Sequence, residues 1–554
     1  MQFFKKDKAF TIVELVVVIV VIGILATITM VSYSGVTRRA TVSVIKGDLS
    51  SNVTLLKIYE AKYGSFPTEL DSSNCPVLPN INNNYCLKSS NGNAITYASA
   101  GQSFLLTVSN AAVDASYDIN ESGTISATPP AKPSYVYTWG GDDYDYGYSV
   151  ISLSDGGYVL VGQTYSFGAG DGGVFISRFS DTGALIWNKI WDGVGQDIAY
   201  SVAQVNDGGL VVVGQSDSFG TSNGDAVVTK FDINGNLIWS KMWGLSGEYY
   251  GDVGSSIVKT SDGGFAIAGW TTRFEDYQLD AFVAKFAADG SLSWDKTWSL
   301  ASYDMDFAHS VAQLNDGSIV IVGESFDGFT DTSAFIVKFA IDGSFLWNKT
   351  WGGSNKDIAY SIVKVSDGGF VVAGQTDSFN SGKEKAFIAK FTSAGGLAWN
   401  KTWGGTGNDS GRSVIQAADG GFVMAGDTTI RAGSPDMFIA KFSDTGTLSW
   451  SSAVGGENAQ EFGESITQVT DGGYVVIGHT NSFGGAGETF IAKYNSIGGI
   501  PSCPSVKCSS VTATIGVPAA SVLTPSATTL DTPATVTPVS ITVSTPSVNY
   551  IKLY

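Results

Sequence analysis

Three features predict a multidomain fold. It comprises a long N-terminal transmembrane α-helix with a small α+β head, an all-β seven-bladed β-propeller, and a Ser/Thr/Pro-rich tail. First, Leu15 to Thr37 carries no charge over 23 residues. At about 1.5 Å rise per residue, such a helix crosses a bilayer core. Second, D-G-(G/S) followed by an apolar strand recurs at Asp155, Asp207, Asp262, Asp316, Asp367, Asp419 and Asp471. Third, a strand missing from the last repeat stands ahead of the first.

Composition narrows the function classes. At 554 residues the chain exceeds one ordinary domain. Only 15% of residues are charged, and 67 are glycine, the balance of an extracellular β-rich protein. A net charge of −19 opposes a phosphate-binding surface, so no nucleic-acid partner is expected. With His309 and His479 the only histidines, a His-based metal site or catalytic relay has little material. Neither a metal nor any other cofactor is expected. The four cysteines form two close pairs, Cys75 with Cys86 and Cys503 with Cys508. An even count outside the cytoplasm points to two local disulfides.

The N-terminus carries the most specific signal. Lys5, Lys6 and Lys8 precede Ala9, Phe10, Thr11, Ile12, Val13, Glu14 and Leu15, and the apolar run continues through Gly23, Ile24, Leu25 and Ala26. A carboxylate in such a run costs about 2.5–3.5 kcal/mol, less near the interface, so Glu14 implies a partner. This stretch resembles the N-terminus of type IV pilins and type II secretion pseudopilins. The resemblance implies that a prepilin peptidase removes residues 1–9, cutting between Ala9 and Phe10, and methylates the new terminus. It gives Glu14 the free amine of a neighbouring subunit's Phe10 as partner. Two departures stand out: Ala9 replaces the usual glycine, and Val31 stands where proline is common. The alternative is a plain signal anchor.

Residues 10–133 read as the filament-subunit domain. Val42, Ile45, Leu49, Val53, Leu56 and Tyr59 recur at three- and four-residue steps, extending the helix over 10–63. Gly64 and Pro67 stop it. A small sheet is expected within 94–126, from strands 94–99, 102–109 and 116–119. The loop closed by Cys75 and Cys86 resembles that of small pilin heads. Asp118, Asn120, Ser122 and Gly123 begin like a calcium loop but lack its terminal Glu, so a hairpin is expected. Pro129, Pro130 and Pro133 form a linker.

Residues 134–500 hold the seven repeats, at steps of 52, 55, 54, 51, 52 and 52 residues. Strands are expected at 358–366, 370–376, 386–391 and 397–403, and equivalently elsewhere. The seventh unit lacks its fourth strand, and Tyr135-Val136-Tyr137-Thr138-Trp139 supplies it, closing the ring. The repeats resemble the bacterial secreted seven-bladed β-propeller repeat family, which implies a fold and little about function. Trp191, Trp243, Trp298, Trp351 and Trp403 are expected to pack between blades. Asp145, Asp197, Asp252, Asp306, Asp357, Asp409 and Glu461, each followed by a serine four residues on, are expected to hold turns.

Ligand binding is expected where the repeats differ. The Trp-to-acid loop lengthens from Trp243 to Asp252 and from Trp298 to Asp306. That region carries Tyr249, Tyr250, Trp270, Arg273, Tyr277, Tyr303 and His309, with Glu248, Asp276 and Asp304. Aromatics flanked by acids suit sugar stacking and hydroxyl recognition. No nucleophile elbow is present, so no enzyme is expected. Residues 501–554 read as an extended, partly disordered tail adding a strand or two.

Together these features predict a membrane-inserted precursor that matures into a low-copy, tip-located pilin-like subunit. Its partners are other pilin subunits, the peptidase, the membrane before assembly, and a glycan or surface-protein ligand. It is expected as a single-pass protein of the cytoplasmic membrane first, with its C-terminal domains outside, then in a pilus or pseudopilus, at the cell surface or in the periplasm. The alternatives are a secretion pseudopilin with the propeller as docking module, or an anchored carbohydrate-active enzyme.

Overall fold

The structure, a computed structural model, describes residues 41–499 with short interruptions, and seven stretches between 508 and 553. Ala9, Phe10, Glu14, the apolar run and Cys503 lie outside the described residues. Among those described, no helix is long and apolar enough to cross a membrane. The chain divides into two compact units, Met1–Pro130 and Ala131–Tyr554.

In the first unit a helix covers 41–63. Ile45, Leu49, Val53 and Leu56 fall on one face at helical spacing and pack against Phe104, Leu106, Val108 and Ile119. Those four belong to an antiparallel meander of Ala94–Ser99, Phe104–Asn110, Ala115–Asn120 and Ile125–Thr128. Gly64 ends the helix with φ +80°, its N–H donating to the Glu60 carbonyl at 2.7 Å. Buried Asn52 ties the helix to Lys88 through two 2.8 Å bonds. Cys75 and Cys86 are disulfide-bonded. Ile119 pairs with Ile125, so the calcium-like sequence spans a hairpin.

The second unit is built from seven four-stranded antiparallel sheets in the arrangement of a propeller. Blade 5 comprises Asp357–Lys364, Phe370–Thr376, Lys385–Phe391 and Leu397–Gly404. The other blades repeat this order. First strands of consecutive blades touch one another all the way round, from the first blade to the seventh and back. Tyr135–Gly140 pairs with Glu488–Tyr494 and completes the seventh blade. Second strands such as Phe370–Thr376 are buried at every position, because neighbouring blades cover both faces.

Three devices join the blades. The outer-strand tryptophans stack on a phenylalanine of the next blade: Trp243 on Phe282, Trp351 on Phe387 and Trp403 on Phe438, each at 3.9 Å. The serines make a closed ring, each accepting a backbone N–H from the next blade. Ser361 accepts from Val414 at 3.1 Å, and Ser465 accepts from Val150 at 3.1 Å to close the circle. The opening acids latch one blade to the next. Asp357 accepts from Gly353 N at 2.9 Å, just past the preceding blade, and from Ser378 Oγ at 2.7 Å within its own. Within each blade the D-G-(G/S) aspartate meets a third-strand cation at 2.5–2.9 Å, from Arg178–Asp155 to Lys493–Asp471.

The tail differs from expectation. Instead of adding a strand or two, it adds one to every blade: Cys508–Ser510, Thr514–Gly516, Ser521–Leu523, Thr528–Asp531, Thr535–Pro538, Thr542–Ser544 and Tyr550–Leu553. Six of the seven outer edges carry the repeating tryptophan, with Val454 in its place in blade 6, and this recurrence of similar edges is why one segment can pair seven times.

Two sets of acids oppose each other in pH response. The hydrogen bond from Lys230 holds Asp207 below its usual range. Asp262 is lowered to about 2, because the bond from Lys285 and its neighbours outweighs burial. Stability from these groups is complete above about pH 4 and lost as pH falls through their folded pKa values. Burial instead pushes Asp145, Asp197, Asp357 and Asp409 up, and Asp306 to about 7. Folding favours the protonated form of these groups, so they add stability as pH falls from 7 towards 4. Thermal unfolding across pH should place maximal stability at roughly pH 4–6. A maximum above pH 7.5 would contradict this balance.

Candidate functional site

One backbone irregularity, repeated seven times, positions the site. Every first strand carries a β-bulge immediately before its serine: Ala199 pairs with Gly214 and Ser201 with Val213, leaving Tyr200 unpaired. The same shift occurs at Tyr148, Ser255, His309, Tyr360, Arg412 and Glu464. A bulge re-aims the extra side chain. Opposite it stands an obligatory glycine, since a Cβ on Gly374 would lie 1.9 Å from the Ile358 carbonyl oxygen. All seven bulge residues are half-buried on the innermost strands, where they line the axis of the ring. The serine after each bulge is constant and structural, while the bulge residue itself is Tyr, Tyr, Ser, His, Tyr, Arg or Glu.

Their contacts run around the axis. Tyr148 and Tyr200 sit 5.3 Å apart, and Tyr146 stands 6.4 Å from Tyr148. Ser255 bonds the carbonyls of Ala268 and Ala308, so its hydroxyl is spent on structure. His309 Nε2 lies 3.1 Å from Glu324 Oε1. Tyr360 sits between two side chains, with its ring 5.4 Å from the His309 ring and 4.8 Å beneath the Arg412 guanidinium.

Blades 6 and 7 hold the densest chemistry. Arg412 Nε donates to Asp427 at 3.1 Å, and His479 Nδ1 lies 4.0 Å from Glu464. Burial raises Asp427 to about 6 against the pull of Arg412. Burial and then Arg412 push His479 down to about 4, leaving it neutral at physiological pH. Burial opposes the charge on Arg412, but Glu464 and Asp427 outweigh it and raise its pKa. Burial also raises Tyr148 and Tyr360, and Tyr200 to about 12, so these phenols remain hydrogen-bond donors. The ring thus offers aromatic faces, neutral donors and carboxylate acceptors around one axis.

Of the seven predicted ligand residues, Trp270 and His309 are described. Their rings lie 6.3 Å apart, and His309 belongs to the bulge ring. Tyr249, Tyr250, Arg273, Tyr277 and Tyr303 lie outside the described residues. Loop length led to part of the axis but missed Tyr148, Tyr200, Tyr360, Arg412 and Glu464. Aligning the repeats on their constant serine finds these directly, as the variable position inside the most regular strand.

Residues 4–30 match the family model of the prokaryotic N-terminal methylation motif. The N-terminus is of the prepilin type. The motif implies a membrane-anchored precursor, processing by a prepilin peptidase, later surface exposure, and assembly with other pilin subunits. No curated protein matches the chain. Several solved structures align over about two thirds of it. A protein of unknown function from Dyadobacter fermentans is 12% identical, covering 66% of this chain and 99% of its own, with a TM-score of 0.37. Sqt1 from Chaetomium thermophilum is 11% identical over 66% and 99%, with a TM-score of 0.37. The polysaccharide lyase Uly1 is 10% identical over 66% and 98%, with a TM-score of 0.39. Likenesses this distant carry no argument about this chain.

Removing the guanidinium tests the coupling within the ring. In Arg412→Ala the His479 titration should move up from about 4, as followed by NMR of the imidazole protons. An unmoved titration would show that the two groups do not interact. Gly374→Ala should destabilise the protein by about 1–3 kcal/mol in denaturant unfolding, since the clash is with backbone.

Proposed function

We propose that the chain is a low-copy, tip-located pilin-like subunit that binds a surface carbohydrate at the axial ring of its propeller, without catalysis. The observation that carries this reading is the bulge column. Six of its seven positions present aromatic or charged side chains where flanking positions repeat. Aromatic faces suit sugar rings, and the carboxylates of Glu464 and Glu324 suit hydroxyl donors. The prepilin-type N-terminus supplies the means of display: cleavage between Ala9 and Phe10, then insertion of the helix with Glu14 facing a neighbour's terminal amine. A head of 367 residues, 134 to 500, is bulky for every position of a staggered filament, which favours low copy number at the tip.

Mass spectrometry of filaments sheared from cells tests the display half. Methylated Phe10 together with peptides from 134–500 is expected, at far below one copy per major subunit. The same terminus confined to the envelope would favour the secretion pseudopilus. For the binding half, a glycan array should show retention without product release. Tyr200→Ala and Tyr360→Ala should each weaken binding about two- to tenfold, since a stacked aromatic contributes about 0.5–1.5 kcal/mol beyond its burial. Turnover of a bound polysaccharide would replace the binding reading with an enzymatic one.

A further inference from the structure

The tail strands pair with the blades in a fixed order. From Cys508 onward they meet the outer strands of blades 6, 5, 4, 3, 2, 1 and 7, always antiparallel. Neighbouring strands twist by about 20–25°, so by the fourth strand a blade's edge has turned towards the circumference of the ring. All seven edges then run in one sense around the ring. A chain antiparallel to every edge must circle in the reverse order, which is the order observed.

The register carries an independent signature. Opposite Trp403, Trp351, Trp298, Trp243 and Trp191 stand Ile515, Val522, Thr529, Val536 and Val543. These β-branched residues are spaced by seven throughout, and Ile551 then meets Trp139. Seven extended residues reach about 23 Å, a span suited to stepping between adjacent blade edges. In the sequence Pro518, Pro525, Pro533 and Pro546 stand between the segments that pair, and Pro538 ends one of them, opposite Lys241. After Cys508 the only charges are Asp531 and Lys552. The tail therefore has the composition of strands that cover an edge.

We propose that residues 508–553 are a strand-donating belt whose acceptor is the ring of seven outer blade edges of the same molecule. The belt covers edges that would otherwise offer unpaired N–H and C=O groups to other chains. It also secures the closure. Tyr135–Gly140, which completes the seventh blade, pairs with Glu488–Tyr494 on one side and Tyr550–Leu553 on the other. The strand that directly follows the linker is thereby interior, so tension entering through the linker meets two hydrogen-bonded ladders.

The test uses the full chain in detergent. Thr350 and Leu523 are register partners, whereas Thr297 pairs with Leu530 one blade away. With a short thiol crosslinker and peptide mapping, T350C/L523C should link within one molecule and T297C/L523C should not. Hydrogen exchange on V522P should accelerate at least tenfold at 350–352 while 402–404 stays unchanged. Failure of the first pair to link, tail amides exchanging at unfolded-chain rates, or links formed between copies would each overturn the proposal. The result stands apart from any outcome with carbohydrate.

Discussion

A four-stranded sheet with apolar side chains on both faces can bury neither face alone. Each blade therefore depends on its two neighbours, and the array is stable only as a closed circle. This constraint organises the rest of the second unit. Trp351 against Phe387 and Trp403 against Phe438 fill the seams, while the constant serines supply a bond across each one. The borrowed strand Tyr135–Gly140 is the price of closing the circle with one continuous chain. A free blade face at the join would expose the same apolar area that the other six seams conceal.

The site follows from the seam. To let the serine reach the next blade, the first strand takes on an extra residue, and the glycine opposite makes room for it. The extra side chain is then excluded from the sheet and projects along the axis. Structure uses the serine and the glycine identically in all blades, so neither can vary. The bulge residue does not make the bond across the seam, and Tyr148, His309, Arg412 and Glu464 show how far it diverges. Ser255 is the instructive exception, since its hydroxyl bonds two carbonyls and belongs to the framework.

The acids illustrate how one residue type serves opposite ends. Most turn aspartates, Asp207 and Asp316 among them, sit half-exposed beside a buried cation, and their charge is an asset. The latch aspartates are buried among glycine N–H groups and hydroxyls, where burial works against the charge. At Asp145, Asp197, Asp357 and Asp409 the carboxylate persists because it accepts both from the glycine N–H just past the preceding blade and from a hydroxyl of its own blade.

Much was legible from the sequence because repetition amplifies weak signals. Seven copies of D-G-(G/S) fixed the blade count, and the absent fourth strand after Tyr494 announced the closure. The prepilin-type N-terminus was equally plain, since a charged leader, Phe10, Glu14 and an uncharged run seldom coincide. The axial ring was hidden because a bulge shifts register by one residue and leaves no mark in hydrophobic alternation. Tyr200 reads as one more strand residue until its pairing with the next strand is known. The tail was hidden for a related reason: Ile515, Val522 and Val536 gain meaning from their register partners, tryptophans that lie more than a hundred residues earlier. Local periodicity determined the elements and their number. Only tertiary structure decided which side chains meet on the axis and where the tail goes, because both depend on pairing between residues distant in the chain.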